Sequence, residues 1–129
     1  MVDNIAIVIS TIILLGMAVL HILLLLGFPL GEYVLCGENR VIPKNKRHLN
    51  VILSVVWLFA IIVYLEKGGL IGLFNNSLLT DILFTIFTVF FGIAIFSNGF
   101  LTSSKKEKYV MTPLCIITFV CSVLIFFDI

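Results

Sequence analysis

The chain is too apolar for an ordinary soluble domain. Of its 129 residues, 61% are hydrophobic and only 12% are charged, whereas about a quarter of the residues in a soluble domain are charged. A folded monomer of this size must present a polar exterior to water, so most of the chain is expected to face lipid. The formal net charge of +1 gives no basis for binding nucleic acid, and no such partner is expected.

Four apolar runs approach the length that crosses a bilayer, about 20 residues at about 1.5 Å per residue. They predict helices at about 5–30, 49–65, 82–101 and 109–127. Because short connections make consecutive helices antiparallel neighbours, the expected fold class is all-α, an antiparallel up-down-up-down four-helix transmembrane bundle. Residues 1–129 then form one transmembrane domain. The first run has no Lys or Arg before it, so it is expected to be retained and not cleaved as a signal peptide.

Basic residues are concentrated in the first and third predicted loops. Seven of the eight Lys and Arg residues lie there, namely Arg40, Lys44, Lys46, Arg47, Lys105, Lys106 and Lys108. Cytoplasmic loops carry an excess of Lys and Arg, so these two loops are expected to be cytoplasmic, with both termini outside the cell (plasma or inner) membrane. The lipid bilayer is the expected partner, and anionic lipids should gather at the cytoplasmic face at about 1 kcal/mol per basic residue.

Small and polar residues recur at helical spacing on each apolar run. Such residues mark faces that contact other helices or a cavity, because lipid tails are as apolar as leucine. Two interpretations stay open: helix packing, or a narrow polar pocket that opens to the cytoplasm. The stripes comprise Ser10, Met17 and His21; Asn50, Ser54, Trp57 and Tyr64; Thr85, Thr88, Gly92 and Gly99; and Met111, Cys115, Thr118 and Ser122. The candidate pocket residues are His21, Glu32, Tyr33, Asn50, Ser54, Asn98 and Thr102.

Two polar residues within the runs carry most of the functional interest. His21 lies where hydrocarbon disfavours a charged imidazolium, and it is either a hydrogen-bonded packing residue or a ligand or proton carrier. Asn98 has a carboxamide that needs partners in hydrocarbon, either across a helix contact or from a ligand. His21 has no metal-binding partner at helical spacing, and the three cysteines include no C-x-x-C pair. Neither a metal nor another cofactor is expected.

The first run is followed by residues that interrupt a helix. Pro29 removes a backbone donor and crowds the carbonyl of Leu25. If the helix only bends there, His21 and Glu32 face one groove about 16 Å apart. If the helix ends there, that alignment is lost.

Glu32 has two interpretations at the cytoplasmic boundary. It either forms salt bridges that clamp the loops or provides a proton or cation site with Asn98 and His48. The residues expected in loop salt bridges are Arg40, Lys44, Arg47, Lys105 and Glu107. On the opposite side, Thr80 is expected to cap the third helix.

Two sequence patterns resemble a known group of proteins. They are Gly27-x-Pro29-x-Gly31-Glu32-Tyr33 with Gly37 and Val41-x-Pro43-Lys44, and Asn98-x-x-x-Thr102-x-Ser104-Lys105-x-Glu107-Lys108 with Pro113. Together they resemble small bacterial four-helix integral membrane proteins of unassigned function. The resemblance covers most of the chain and implies the fold and membrane residence. It singles out Glu32, Tyr33, Asn98 and Glu107, and it implies no activity.

Two hypotheses about function stay in balance. In the first, the protein binds or transports a small molecule or an ion in a cytoplasm-facing polar pocket. In the second, it is a non-catalytic structural or accessory subunit that packs with itself, as a homo-oligomer, or with a larger membrane protein. An intramembrane enzyme is the least favoured class, because no nucleophile–base pair, metal set or phosphate loop is visible. No catalytic residue is therefore expected.

Overall fold

The structure is a computed structural model that describes residues 2–31, 42–101 and 104–127. Within these ranges the chain forms helices and turns and contains no strand. The helices are α1 (Val2–Leu25), α2 (Arg47–Lys67), α3 (Ser77–Phe96) and α4 (Thr112–Phe126). A short 3-10 turn (Lys44–Lys46) precedes α2, and π-helical turns follow α3 (Ser97–Leu101) and precede α4 (Glu107–Met111). The four helices are long and apolar enough to cross a membrane, which suggests a multi-pass membrane protein.

Helix α1 ends at Leu25, before the predicted end at about residue 30. Gly27 adopts a φ of +97°, and the N–H groups of Gly27 and Phe28 each donate to a carbonyl of the last turn at 3.1 Å. In this Schellman arrangement, a glycine in the left-handed region lets the chain satisfy the final carbonyls of the helix. Pro29 adds a second reason, because it has no N–H to offer to the Leu25 carbonyl. The helix therefore ends and does not bend.

The connection between α2 and α3 is held by the end of α2. Gly69, at a φ of +76°, ends α2 with the same glycine-dependent turn. The Glu66 carboxylate accepts the backbone N–H groups of Leu73 and Phe74 at 2.8 and 3.3 Å. One side chain of the last turn of α2 thus fixes the path of the chain towards α3.

Helix α3 begins at Ser77, earlier than the predicted start near residue 82, and Asn76 is its N-cap. The Asn76 side chain accepts the N–H of Leu79 at 3.0 Å, so it satisfies one of the donors that a helix N-terminus leaves unpaired. The prediction that Thr80 caps this helix is wrong, because its hydroxyl donates to the Asn76 carbonyl from inside the helix. Asparagine and serine are common in turns as well as in caps, which made the earlier start hard to recognise.

The four helices form a closed ring. Consecutive helices pack against each other, and α1 also packs against α4. Residues late in one helix contact residues early in the next, as in the pairs His21–Asn50, Tyr64–Phe84 and Asn98–Cys115. Consecutive helices therefore run antiparallel, and each loop returns the chain to the neighbouring helix.

Aromatic side chains of α2 and α3 pack together in the core. Phe84 and Phe91 are buried on α3, and the ring of Tyr64 from α2 lies 4.8 Å from that of Phe84. Thr85, which was expected on the inward stripe of this helix, is exposed. Its hydroxyl donates to the Asp81 carbonyl at 2.7 Å, so this threonine meets its hydrogen-bonding need within the helix. The stripe predicted for α2 is buried throughout.

Candidate functional site

A polar cluster made of His21, Asn50, Ser54 and Trp57 lies between the end of α1 and the first half of α2. His21 is 3% exposed and Asn50 is fully buried. Antiparallel packing brings these helix ends together, so the His21 Nδ1–H donates to Asn50 Oδ1 at 3.2 Å. Ser54 Oγ donates to the Asn50 carbonyl at 2.6 Å. Three of the predicted pocket residues are therefore adjacent.

Two donors of the polar cluster are buried without a partner among the described residues, namely Asn50 Nδ2 and Trp57 Nε1. An unpaired buried donor costs about 1–3 kcal/mol, and nearly all buried polar groups in folded proteins have a partner. The hydroxyls of Ser10, Thr11 and Thr112 are also buried without a partner among the described residues, so unpaired polar atoms are not confined to this cluster.

The Trp57 ring joins the cluster to the rest of the bundle. The His21 ring stacks on it, with centroids 6.4 Å apart and an interplanar angle of 15°. On α3, Phe91 also stacks on Trp57, at 5.7 Å and 24°. The face of an indole attracts a cation within about 6 Å of its centroid, so a protonated imidazole at His21, 6.4 Å away, would lie just outside that range. The spacing of Trp57 from Asn50 placed it on the inward stripe, but no sequence signal showed that His21 would lie on its face.

A small cavity lies next to the cluster in the middle of the bundle. It has a volume of about 20 Å³, and Met17, Trp57, Phe91 and Met111 are among the residues that line it. A water molecule needs roughly 10–15 Å³, whereas organic ligands occupy clefts of roughly 300–1,000 Å³. This cavity has the volume of one water, but its lining is almost entirely apolar, so it lacks the polar partners that a buried water or an ion needs. It is also too small for an organic solute.

Glu107 is a buried carboxylate near the same end of the bundle, with 4% of its surface exposed. Its backbone N–H donates to Ser104 Oγ at 3.2 Å. Glu107 comes one turn before Met111, and His21 comes one turn after Met17; both methionines line the cavity. Glu107 and His21 therefore lie in one layer, on the side of the cavity nearest the Lys44–Lys46 turn and the Glu107–Met111 turn. We call this side the basic end.

Asn98 makes a separate contact. Its Nδ2 donates to Cys115 Sγ at 3.3 Å, which joins the π turn after α3 to α4. The partly buried carboxamide therefore serves a helix–helix contact, which is the first of the two roles considered for it. His48, named as its partner in a proton or cation site, is exposed at the start of α2.

Arg47 ties the start of α2 to the end of α1. Its Nε donates to the Ile42 carbonyl at 3.0 Å, and its guanidinium lies against Gly27, where an added Cβ would be 3.2 Å from Nη2. A cation is favourable at a helix C-terminus, where unpaired carbonyls carry partial negative charge. Lys44 and Lys105 are exposed. Glu32, Tyr33, Arg40 and Thr102 lie outside the described residues.

The described residues contain no group of three or more His, Cys, Asp or Glu side chains that could hold a metal ion. Comparison with known protein families, with curated proteins and with solved structures found no match. The functional argument therefore rests on the geometry of the polar cluster.

Proposed function

We propose that this multi-pass membrane protein binds or transports a small ion at the basic end of its bundle, and that the ion is a proton carried by His21. The observation that carries the proposal is the buried His21–Asn50 pair, stacked on Trp57. An ionisable residue inside a membrane-length helix is expensive to keep there and commonly marks an ion or proton pathway.

The neighbours of His21 suit a proton better than a larger solute. Asn50 Oδ1 accepts the Nδ1–H, which orients the imidazole and leaves Nε2 as the basic nitrogen. The Trp57 ring lies nearly parallel to the imidazole at 6.4 Å between centroids, which restricts the orientation of the imidazole but is just beyond the cation–π range of about 6 Å. The adjacent cavity of about 20 Å³ has no room for an organic molecule. These features together favour the ion over the small-molecule version of the hypothesis.

The distribution of basic residues predicts which side of the membrane lies nearer to His21. On the positive-inside rule, the basic end faces the cytoplasm of a plasma or inner membrane, and both termini lie outside. Exposed Lys44 and Lys105 would then meet anionic lipid headgroups there. In this orientation, Glu107 and His21 lie on the cytoplasmic side of the bundle centre.

Proton flux into liposomes tests the proposal. The purified chain is reconstituted into vesicles that contain a pH-sensitive dye, and a potassium diffusion potential drives the proton. We expect flux above that of protein-free vesicles, its loss in His21→Leu and a marked decrease in Asn50→Leu. Ser122→Ala is the matched control, because Ser122 is a buried hydrogen-bonding residue near the other end of the bundle. Wild-type flux equal to that of empty vesicles, or flux unchanged in His21→Leu, would contradict the proposal.

A second candidate is a structural or accessory subunit. It is favoured by the use of interior polar groups as links between helices: Tyr64 pairs with Ser122 across α2 and α4, and Asn98 with Cys115 across α3 and α4. Under this candidate, the chain copurifies in mild detergent with a second copy or a larger membrane protein. A monomer by light scattering, with no copurifying protein, would count against it.

A further inference from the structure

A groove runs along the bundle surface between α3 and α4, starting at the end opposite the basic end. Its first part has a volume of about 430 Å³, within the usual range of ligand clefts, and is lined by Lys67, Asp81, Ile86 and Phe126 among others. A second part of about 180 Å³ adjoins it, since Thr85 and Phe126 line both. The groove is therefore continuous, polar at its mouth and apolar further along.

The length of the groove matches one leaflet of a bilayer. It extends along α3 from Asp81 to Val89, a span of eight residues, or about 12 Å at 1.5 Å per residue. The hydrocarbon core of a bilayer is about 30 Å thick, so each leaflet contributes about 15 Å. An acyl chain lying beside Ile86 and Phe126 would thus have its headgroup level with Lys67.

A salt bridge between Lys67 and Asp81 lies at the polar end of the groove. Lys67 Nζ donates to Asp81 Oδ1 at 2.7 Å, with side-chain exposures of 23% and 52%. Lys67 also lies 5.9 Å from the centroid of the Phe84 ring, so its position is fixed from two sides. An ammonium has three donors and a carboxylate has two acceptor oxygens, so each partner has hydrogen-bonding capacity beyond the bond between them.

We infer that this groove binds a phospholipid with a zwitterionic headgroup and a primary amine, that is, a phosphatidylethanolamine. Lys67 contacts the phosphate, Asp81 accepts a hydrogen bond from the ethanolamine ammonium, and one acyl chain follows the apolar part of the groove. Choline has no N–H to donate to Asp81, and an anionic headgroup meets the aspartate with charge of the same sign. The inference rests on the proposed membrane location but not on proton transport.

Lipid competition followed by native mass spectrometry tests the inference. The purified full-length chain is delipidated in detergent and offered equal amounts of phosphatidylethanolamine, phosphatidylcholine and phosphatidylglycerol with identical acyl chains. We expect a preference for the ethanolamine lipid over the choline lipid of about two- to fivefold, the size of a partly exposed charged contact. Equal retention of these two lipids by the wild type would overturn the inference.

Three variants separate the headgroup from the chain. Asp81→Ala, at an exposed position, removes both acceptor oxygens and should abolish the preference for ethanolamine over choline. Thr85→Leu fills the wall shared by both parts of the groove and should reduce retention of all three lipids without changing their ratio. Lys108→Ala, an exposed lysine at the basic end, is the control and should keep the wild-type ratio of ethanolamine to choline lipid. A preference that survives in Asp81→Ala, or full retention in Thr85→Leu, would refute the inference, and neither result bears on the flux assay.

Discussion

Replacing Tyr64 by phenylalanine removes a single hydroxyl from the contact between α2 and α4. Tyr64 is fully buried, and its hydroxyl is hydrogen-bonded to Ser122 Oγ at 2.5 Å. Ser122 Oγ also donates to the Thr118 carbonyl at 2.7 Å, so the serine keeps a partner when the tyrosine hydroxyl is lost. The substitution therefore removes the Tyr64–Ser122 hydrogen bond without leaving a buried serine unpaired.

The expected loss is small. Interhelical hydrogen bonds in membranes contribute about 0.6 kcal/mol on average and about 1.7 kcal/mol at most. Tyr64→Ala removes the ring as well, which lies 4.8 Å from that of Phe84. Truncation of a large buried aromatic ring costs about 3–5 kcal/mol. The free energy of unfolding should therefore fall several times more in Tyr64→Ala than in Tyr64→Phe.

Reversible unfolding by sodium dodecyl sulfate in lipid–detergent micelles measures both losses. The Tyr64→Phe/Ser122→Ala double-mutant cycle isolates the pairwise energy, which should be close to the loss in Tyr64→Phe alone. Tyr109→Phe, at a tyrosine that is 69% exposed, should leave stability unchanged. A coupling energy of zero in the cycle, or equal losses in Tyr64→Phe and Tyr64→Ala, would refute the proposed contact.

The same unfolding assay checks two further predictions. Gly27→Ala and Gly69→Ala each place a Cβ in the left-handed region and should cost about 1–2 kcal/mol. The Gly27 loss should be the larger, because its Cβ would lie 3.2 Å from Arg47 Nη2, whereas Gly69 has open space; equal or reversed losses would contradict this order. Asn76→Ala removes the N-cap of α3 and should lower the free energy of unfolding by about 0.5–2 kcal/mol. Asn76→Asp should keep the wild-type stability, because aspartate also caps helices. An alanine variant as stable as the wild type would argue against the cap.

The number and type of elements could be predicted because uninterrupted apolar runs of bilayer length leave the backbone few alternatives to a helix. Helix ends were less accessible. The end of α1 depends on the left-handed conformation of Gly27, and the start of α3 on which of several turn-forming residues accepts a backbone N–H. Pro29 indicated a disturbance near the end of α1, but its spacing did not distinguish a bend from a terminus.

The sequence predicted which residues belong to the candidate site better than it predicted the contacts between them. Helical spacing placed His21 and Asn50 on inward faces, and antiparallel packing of adjacent helices joined them. The stack of His21 on Trp57 depends on the rotation of α1 against α2, which spacing within one helix does not define. Asn98 was grouped with the same pocket because of its expected depth in the membrane. The π turn that contains it instead directs its side chain to Cys115, and depth does not predict the direction of a side chain.

The protonation of His21 is the most direct test of the central claim that its Nε2 carries a proton while Asn50 keeps a proton on Nδ1. Nitrogen-15 solid-state NMR of the protein in bilayers distinguishes the two imidazole nitrogens. We expect a proton on Nδ1 and a bare Nε2 at neutral pH, reversible protonation of Nε2 on acidification, and loss of the Nδ1 preference in Asn50→Leu. A bare Nδ1 at neutral pH, or an imidazole that gains no second proton while the bundle stays folded, would contradict the account.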